Sequence, residues 1–170
     1  VLLRLPRSLD ALRDVAGLIA AHAAPDVVVH AGGRLKHMTL GMNDVLGTFF
    51  SRLDVSHARQ KSRVLIARGP HDGRDPEPEC RQHGDLVVCA FGGAFAGASL
   101  DIGTRFLLEH LPDPLPAGTA IDLACGTGAV AASLALRHPD LHVYASDQSA
   151  VAVASARATA RANGVADRIQ

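Results

Sequence analysis

Two carboxylates frame a glycine turn in this chain: Asp122 lies four residues before Gly126, Gly128 two residues after it, and Asp147 twenty-one residues after it. Glycines lack Cβ, so the chain can turn sharply there and a ligand can approach the backbone. The Ala-rich stretch after Gly128 reads as a helix whose free N–H groups and positive dipole end point into the same space. Asp147 closes the strand-like run Leu141-His-Val-Tyr-Ala-Ser146, where an acidic side chain can accept hydrogen bonds from a ribose. These residue types bind a nucleoside-bearing cofactor; they are not an acid–base or nucleophilic set, and no catalytic residue is expected among them.

Gly126-Thr-Gly-Ala-Val-Ala131 satisfies G-x-G-x-x-G/A, which leaves a dinucleotide, and hence an NAD-dependent oxidoreductase, as one reading. Dinucleotide strands usually enter the loop with apolar residues because they are buried on both faces. Here Asp122 interrupts the apolar run, and a carboxylate at that position is expected to face the crevice and meet a cationic ligand. That favours S-adenosylmethionine, with Asp122 ordering its methionine end and Asp147 holding its ribose. A tight strand–helix turn with no ligand is the bland alternative.

Other chemistry-bearing residues are weaker. Asp101 and Thr104 precede a short helix, where closing over the methionine end and plain helix capping stand as equal readings. Lys36, Lys61 and Arg63 could hold RNA phosphates, although isolated cations are commonly just solvated. Asp54 and His57 have no accompanying nucleophile, and an exposed histidine is the expectation there. Cys80, Cys89 and Cys125 are an odd number without C-x-x-C spacing, which argues against a disulfide framework and a zinc site. Cys80 and His83 lack a second ligand pair, so no metal is expected. Cys125, inside the glycine turn, reads as a small packed residue.

The elements that must position these groups alternate helix and strand. Ser8 can cap a helix with Leu9, Leu12, Val15, Leu18 and Ile19 on one face. Residues 26–31 read as a buried strand closed by Gly32-Gly33, Thr39 as the start of a second helix running through Phe49 and Phe50, and 62–67 as another strand. Residues 69–84, rich in Gly, Pro, His and acids, read as a linker or mobile loop. Beyond it come strand 85–90, a small-residue turn, a helix over 103–111, then strand 119–124, helix 128–138, strand 141–146 and helix 149–163, with Gly164 as the last helix's C′ residue. This is an α/β chain with one domain at 1–68 and a second at 85–170.

Bulk properties exclude more than they assign. Seventeen basic and seventeen acidic residues give no net charge, so no polyanionic or polycationic partner follows from the whole chain; the N-terminal half is mildly basic. No secretory signal and no apolar run near the ~20 residues of a membrane span are recognisable. A cytoplasmic protein without membrane attachment, as a monomer, is the expectation. The chain opens on Val1 and stops at Gln170, two strand–helix units into a fold that needs several more, so a fragment of a longer protein is expected.

Asp122-x-Ala124-x-Gly126-x-Gly128 resembles motif I of the class I methyltransferases, and Asp147 their ribose-binding acid. Ser99-Leu-Asp-Ile-Gly-Thr-Arg-Phe-Leu-Leu-Glu-His-Leu-Pro112 and Ser146-Asp-Gln-Ser-Ala-Val-Ala-Val-Ala-Ser-Ala-Arg157, followed by Asn163-Gly164, are similar to the bacterial ribosomal RNA guanine-N2 methyltransferases of the two-domain "methyltransferase small" family. Leu5-Pro-Arg-Ser8, Gly33-Arg-Leu-Lys-His37 and Lys61-Ser-Arg-Val64 agree more loosely. The resemblance implies a Rossmann-like class I methyltransferase fold preceded by a degenerate α/β domain that helps hold RNA. It implies S-adenosylmethionine as cofactor, bound through Thr104, Asp122, Ala124, Gly126, Gly128, Asp147 and Gln148, and ribosomal RNA as partner. Ala124 departs from the glycine common at that position. The family's Asn/Asp-Pro-Pro-Phe/Tyr motif, which positions the target amine, does not occur in this chain and is expected beyond residue 170. Protein-glutamine or small-molecule methyl transfer, and a catalytically inactive RNA-binding fragment, remain the alternatives.

Overall fold

A computed structural model describes all residues, Val1–Gln170, and the chain divides into two compact units, Val1–Glu77 and Pro78–Gln170. In the first, β1 (Leu2–Arg4), β2 (Val28–Arg34), β3 (Phe50–Val55) and β4 (Ser62–Pro70) form a sheet in the order β1-β2-β4-β3. β1 runs parallel to β2, while β4 is antiparallel to both of its neighbours. Helices α1 (Leu9–His22) and α2 (Leu40–Phe49) pack on this sheet around Leu12, Ala16, Val29, Met42, Leu46, Phe49 and Leu65. Ser8 caps α1 as expected, its Oγ accepting from Ala11 N at 3.2 Å. Thr39 precedes α2 without a side-chain cap.

Three expectations change in this unit. Gly32 and Gly33 do not end β2; they lie inside it, paired with Val64 and Arg63 of β4. Phe50 leaves α2 and begins β3. The expected linker is largely built in: β4 runs to Pro70, and the following segment lies along α1. Gly73 comes so close to α1 that a Cβ there would meet backbone atoms of Ala20 and Ala21. Arg74 N donates to Gly17 O at 3.3 Å while its guanidinium lies over the Phe49 ring. Glycine at both 17 and 73 permits this approach, so composition that suggests a free linker serves a tight contact.

The second unit starts with a hairpin of β5 (Glu79–His83) and β6 (Leu86–Ala90) about Gly84-Asp85, where Gly84 takes φ +62°. Its register sets Cys80 opposite Cys89 with Cα atoms 4.0 Å apart, and the two are disulfide-bonded. This overturns the expectation against a disulfide; the pair is symmetric about Gly84-Asp85, a relation invisible while residue 80 was read as linker.

The other edge of β6 is completed by a helix. Helix α5 (Ala150–Ala162) aligns Ser155 and Thr159, with the capping Asn163, along one face. Asn163 bonds both backbone groups of Val87, Thr159 both of Cys89, and Ser155 Oγ accepts from Phe91 N. Four helical residues rise about 6 Å and two strand residues about 6.8 Å, so an i, i+4, i+8 stripe of polar side chains can stand in for a neighbouring strand.

The remainder of the unit alternates helix and strand: α3 (Ile102–His110), β7 (Gly118–Leu123), α4 (Ala129–Arg137) and β8 (Leu141–Ser146), with β7 and β8 parallel. After α5 the chain returns beside β8 at Arg168–Gln170. Alanines at 129, 131, 132, 135 and 160 fill the core, letting helices approach closely. No helix is long and apolar enough to cross a membrane.

Candidate cofactor site

The site forms where β7 gives way to α4. Ala124, Gly126 and Gly128 all adopt positive φ, +60°, +54° and +72°, a run that L-residues resist and glycine tolerates. Each glycine has a distinct reason. At Gly128 a Cβ would fall 2.8 Å from the Ala156 Cβ of α5, so the position admits no side chain. At Gly126 a Cβ would meet nothing within 4 Å; the backbone there is open to whatever occupies the crevice.

Both carboxylates fasten this turn. Asp147 Oδ2 accepts from Gly126 N at 3.0 Å and Oδ1 from Ser149 N at 2.8 Å. Those N–H donors, Ser149 first, hold its pKa below the usual carboxylate value, so it is ionised at neutral pH. A carboxylate has room for about four hydrogen bonds, which leaves acceptor capacity for ribose hydroxyls. Asp122 is half-buried, and its Oδ2 accepts from Ala131 N at 3.0 Å, inside the first turn of α4. Burial raises its pKa, the Ala131 bond opposes this, and the Asp147 charge adds to the rise. The sequence leads one to expect Asp122 at the crevice; in the structure one of its oxygens caps the helix.

The remaining expected residues scatter in role. Thr104 Oγ1 donates to Asp101 Oδ2 at 2.6 Å, and Asp101 Oδ1 accepts from Gly103 N and Thr104 N. Of the two readings for this pair, helix capping is the one seen. Gln148 is exposed beside Asp147. Cys125 is buried, with its thiol pushed up to about 11 by burial and by the charges of Asp122 and Asp147; it is a packed thiol and no nucleophile. Asp54 pairs with Arg68 and Arg52 and leaves His57 exposed. In the N-terminal unit Lys36 and Arg63 line one cleft, and Lys61 is not among its lining residues.

The crevice thus presents an open glycine, unpaired N–H groups at the start of α4 and an ionised acid with spare acceptor sites. This donor and acceptor set fits the methionine and ribose parts of S-adenosylmethionine. Residues 85–170 match the family model described as methyltransferase small domain, and residues 1–71 the RLMG N-terminal domain. A Pseudomonas putida (strain GB-1) protein, "Ribosomal RNA large subunit methyltransferase G", is 35% identical over 168 residues, 95% of this chain and 44% of its own length. The Streptomyces avermitilis protein of the same name is 36% identical over 174 residues, 96% of this chain and 46% of its own. The chain spans about half the length of the curated relatives it matches. Among solved structures, a T. Thermophilus 16S rRNA N2 methyltransferase (RsmC), in complex with AdoMet and guanosine, superimposes with a TM-score of 0.77 at 17% identity. It covers all of this chain and 48% of its own length, and the likeness shows the Rossmann-like fold expected from the sequence.

Proposed function

Because the chain belongs to the methyltransferase small domain family, we propose that it supplies the cofactor-binding part of an S-adenosylmethionine-dependent ribosomal RNA methyltransferase acting on a guanine exocyclic amine. The observation that carries this reading is the geometry of the turn: Asp147 is ionised and tied to Gly126 N, beside a backbone that no side chain covers. The names of the relatives, which are large-subunit enzymes, favour that subunit's RNA as substrate.

When bound, S-adenosylmethionine supplies an electrophilic methyl group that requires no acid or base from these residues. The chain's own contribution is binding and orientation. Asp147 accepts from the ribose hydroxyls, and Gln148 beside it borders the adenosine. Gly126 leaves the backbone uncovered towards the methionine part, Gly128 lets the turn close against Ala156, and the first N–H groups of α4 are the donors. Asp122 keeps that turn in place through Ala131 N, and Ala124 sets its entry angle. Thr104 acts through the cap of α3, and this reading gives it no direct contact. The N-terminal unit, with Lys36, Lys61 and Arg63, is the RNA-holding part; the protein works as a cytoplasmic monomer.

Calorimetry with S-adenosylhomocysteine and with NAD tests the cofactor. The homocysteine compound should bind and NAD should not; the reverse pattern would sink the reading. Asp147→Ala should weaken S-adenosylhomocysteine binding by about 1–3 kcal/mol, the scale of hydrogen bonds to a charged group. An unchanged affinity would remove Asp147 from the ribose role.

A further inference from the structure

β5 is joined to the second unit by little besides its ladder to β6 and the Cys80–Cys89 disulfide. It carries no aliphatic side chain, and four of its five residues, Cys80 among them, are exposed. Its ion pair, Glu79 with Arg81, is internal to the strand and anchors it to nothing else. The two ends differ. Near the turn, His83 Nε2 donates to Ala98 O at 2.8 Å; at the open end the disulfide is the only covalent tie to β6. β6 does not need β5 in the same way, because Thr159 and Asn163 of α5 complete its other edge and Leu86, Val88 and Cys89 are buried. The hairpin can therefore lose one strand while the unit keeps its core.

The two sulfurs are unequally placed. Cys80 is exposed and Cys89 is only 1% accessible, so a reagent meets the bond from the Cys80 side. The third cysteine, Cys125, is buried, with its thiol pushed up to about 11, and does not compete as a thiolate at neutral pH. Standing disulfides are rare in the cytoplasm proposed above, and those that occur there are commonly transient or redox-sensing.

We propose that the Cys80–Cys89 bond is a reversible latch on β5, opened by a dithiol reductant and closed by an oxidised dithiol. The proposal goes beyond the cofactor reading and takes from it only the compartment. In opening, a thiolate of the dithiol attacks Cys80 Sγ, the bond to Cys89 Sγ breaks, and Cys89 leaves as a thiolate that takes up a proton. The dithiol's second thiolate then attacks its own sulfur bound to Cys80, and Cys80 leaves and is protonated in turn. Two electrons and two protons pass to the cystine, and the dithiol becomes a cyclic disulfide; closing is the reverse exchange. Opening frees the strand from Glu79 towards His83, which stays tied to Ala98. In the first unit Arg74 N is bonded to Gly17 O. The free chain joining the units thus lengthens from residues 75–79 to residues 75–82, from about 17 Å to about 27 Å at full extension.

The test is amide exchange of the full chain, read by mass spectrometry in buffers poised with oxidised or reduced dithiothreitol, with iodoacetamide trapping to count free thiols. In reduced buffer Cys80 and Cys89 should be labelled together and Cys125 left unlabelled. Ring closure over a sequence separation of 9 suppresses strand opening by on the order of a hundredfold in the chain-entropy model. Reduction should therefore speed exchange across 79–83 by up to about that factor, leave β8 unchanged, and be undone by reoxidation. Cys80→Ser should exchange like the reduced chain in either buffer; the reduced wild-type chain carries no substitution, so a folding defect in the variant does not touch the main comparison. Equal exchange across 79–83 in the two buffers overturns the latch. So does loss of protection in β8 together with β5, which would make the bond a staple of the whole unit, and so does failure of the bond to re-form. None of these readouts involves S-adenosylhomocysteine, so the latch and the cofactor reading fail independently.

Discussion

At Ala124 an L-residue sits at φ +60° between β7 and the glycine turn, where the left-handed conformation costs roughly 1–2 kcal/mol. The resemblance noted glycine as common there, and the backbone supplies the reason. Ala124→Gly should stabilise the chain by about 0.5–1 kcal/mol, the left-handed penalty less glycine's extra entropy, read by urea denaturation; a destabilised variant would contradict the strain. Asp122 carries the opposite liability. Its raised pKa means the folded chain holds a proton that the unfolded chain releases, so stability falls as pH rises above 3.8 towards the folded value. Asp122→Asn keeps an acceptor for Ala131 N and removes that loss, so its melting temperature should exceed the wild type's at pH 7 but not at pH 3. Asp122→Ala leaves the N–H of Ala131 unpaired and should cost about 1–2 kcal/mol.

Among the elements, the polar stripe of α5 was the least legible. Ser155, Thr159 and Asn163 sit in a helix whose sequence looks merely Ala-rich with scattered polar residues. Their role depends on β6 lying alongside, which local pattern does not announce. Thr159 both donates to and accepts from Cys89, so Thr159→Val, nearly the same shape, should cost about 2–4 kcal/mol by stranding two buried backbone groups. Thr159→Ser retains both bonds and should cost about 1 kcal/mol for the lost methyl. Equal effects in chemical denaturation would show that packing, and not edge completion, is what Thr159 provides. β5 escaped sequence reading for a related reason: Glu79-Cys-Arg-Gln-His83 is mostly exposed and has no apolar alternation, and pairing with β6 is what makes it a strand.

For the whole molecule, each unit has a core of its own, the first around Leu12, Leu46 and Phe49, the second in two alanine-rich clusters. Leu46 is fully buried, and Leu46→Ala should destabilise by about 2–5 kcal/mol. Amide exchange should then accelerate across residues 1–77 and remain unchanged across 78–170; acceleration spread over both would show one cooperative unit.

Sequence alone determined the glycine turn, the two acids framing it, the strand–helix–strand order around it and the helix caps at Ser8 and Gly164. These are local: turn geometry demands glycine, and a cap needs its acceptor within a few residues. Tertiary structure decided what each acid does: Asp122 caps α4 once the turn folds that helix back over β7, and Asp147 clamps Gly126 only once β7 and β8 lie side by side. It also joined Cys80 to Cys89, docked Gly73 against α1 and gathered Arg4, Arg7, Arg34 and Arg63 into one cleft. Those outcomes turn on register and close approach between residues distant in the chain, which the spacing of residue types does not encode.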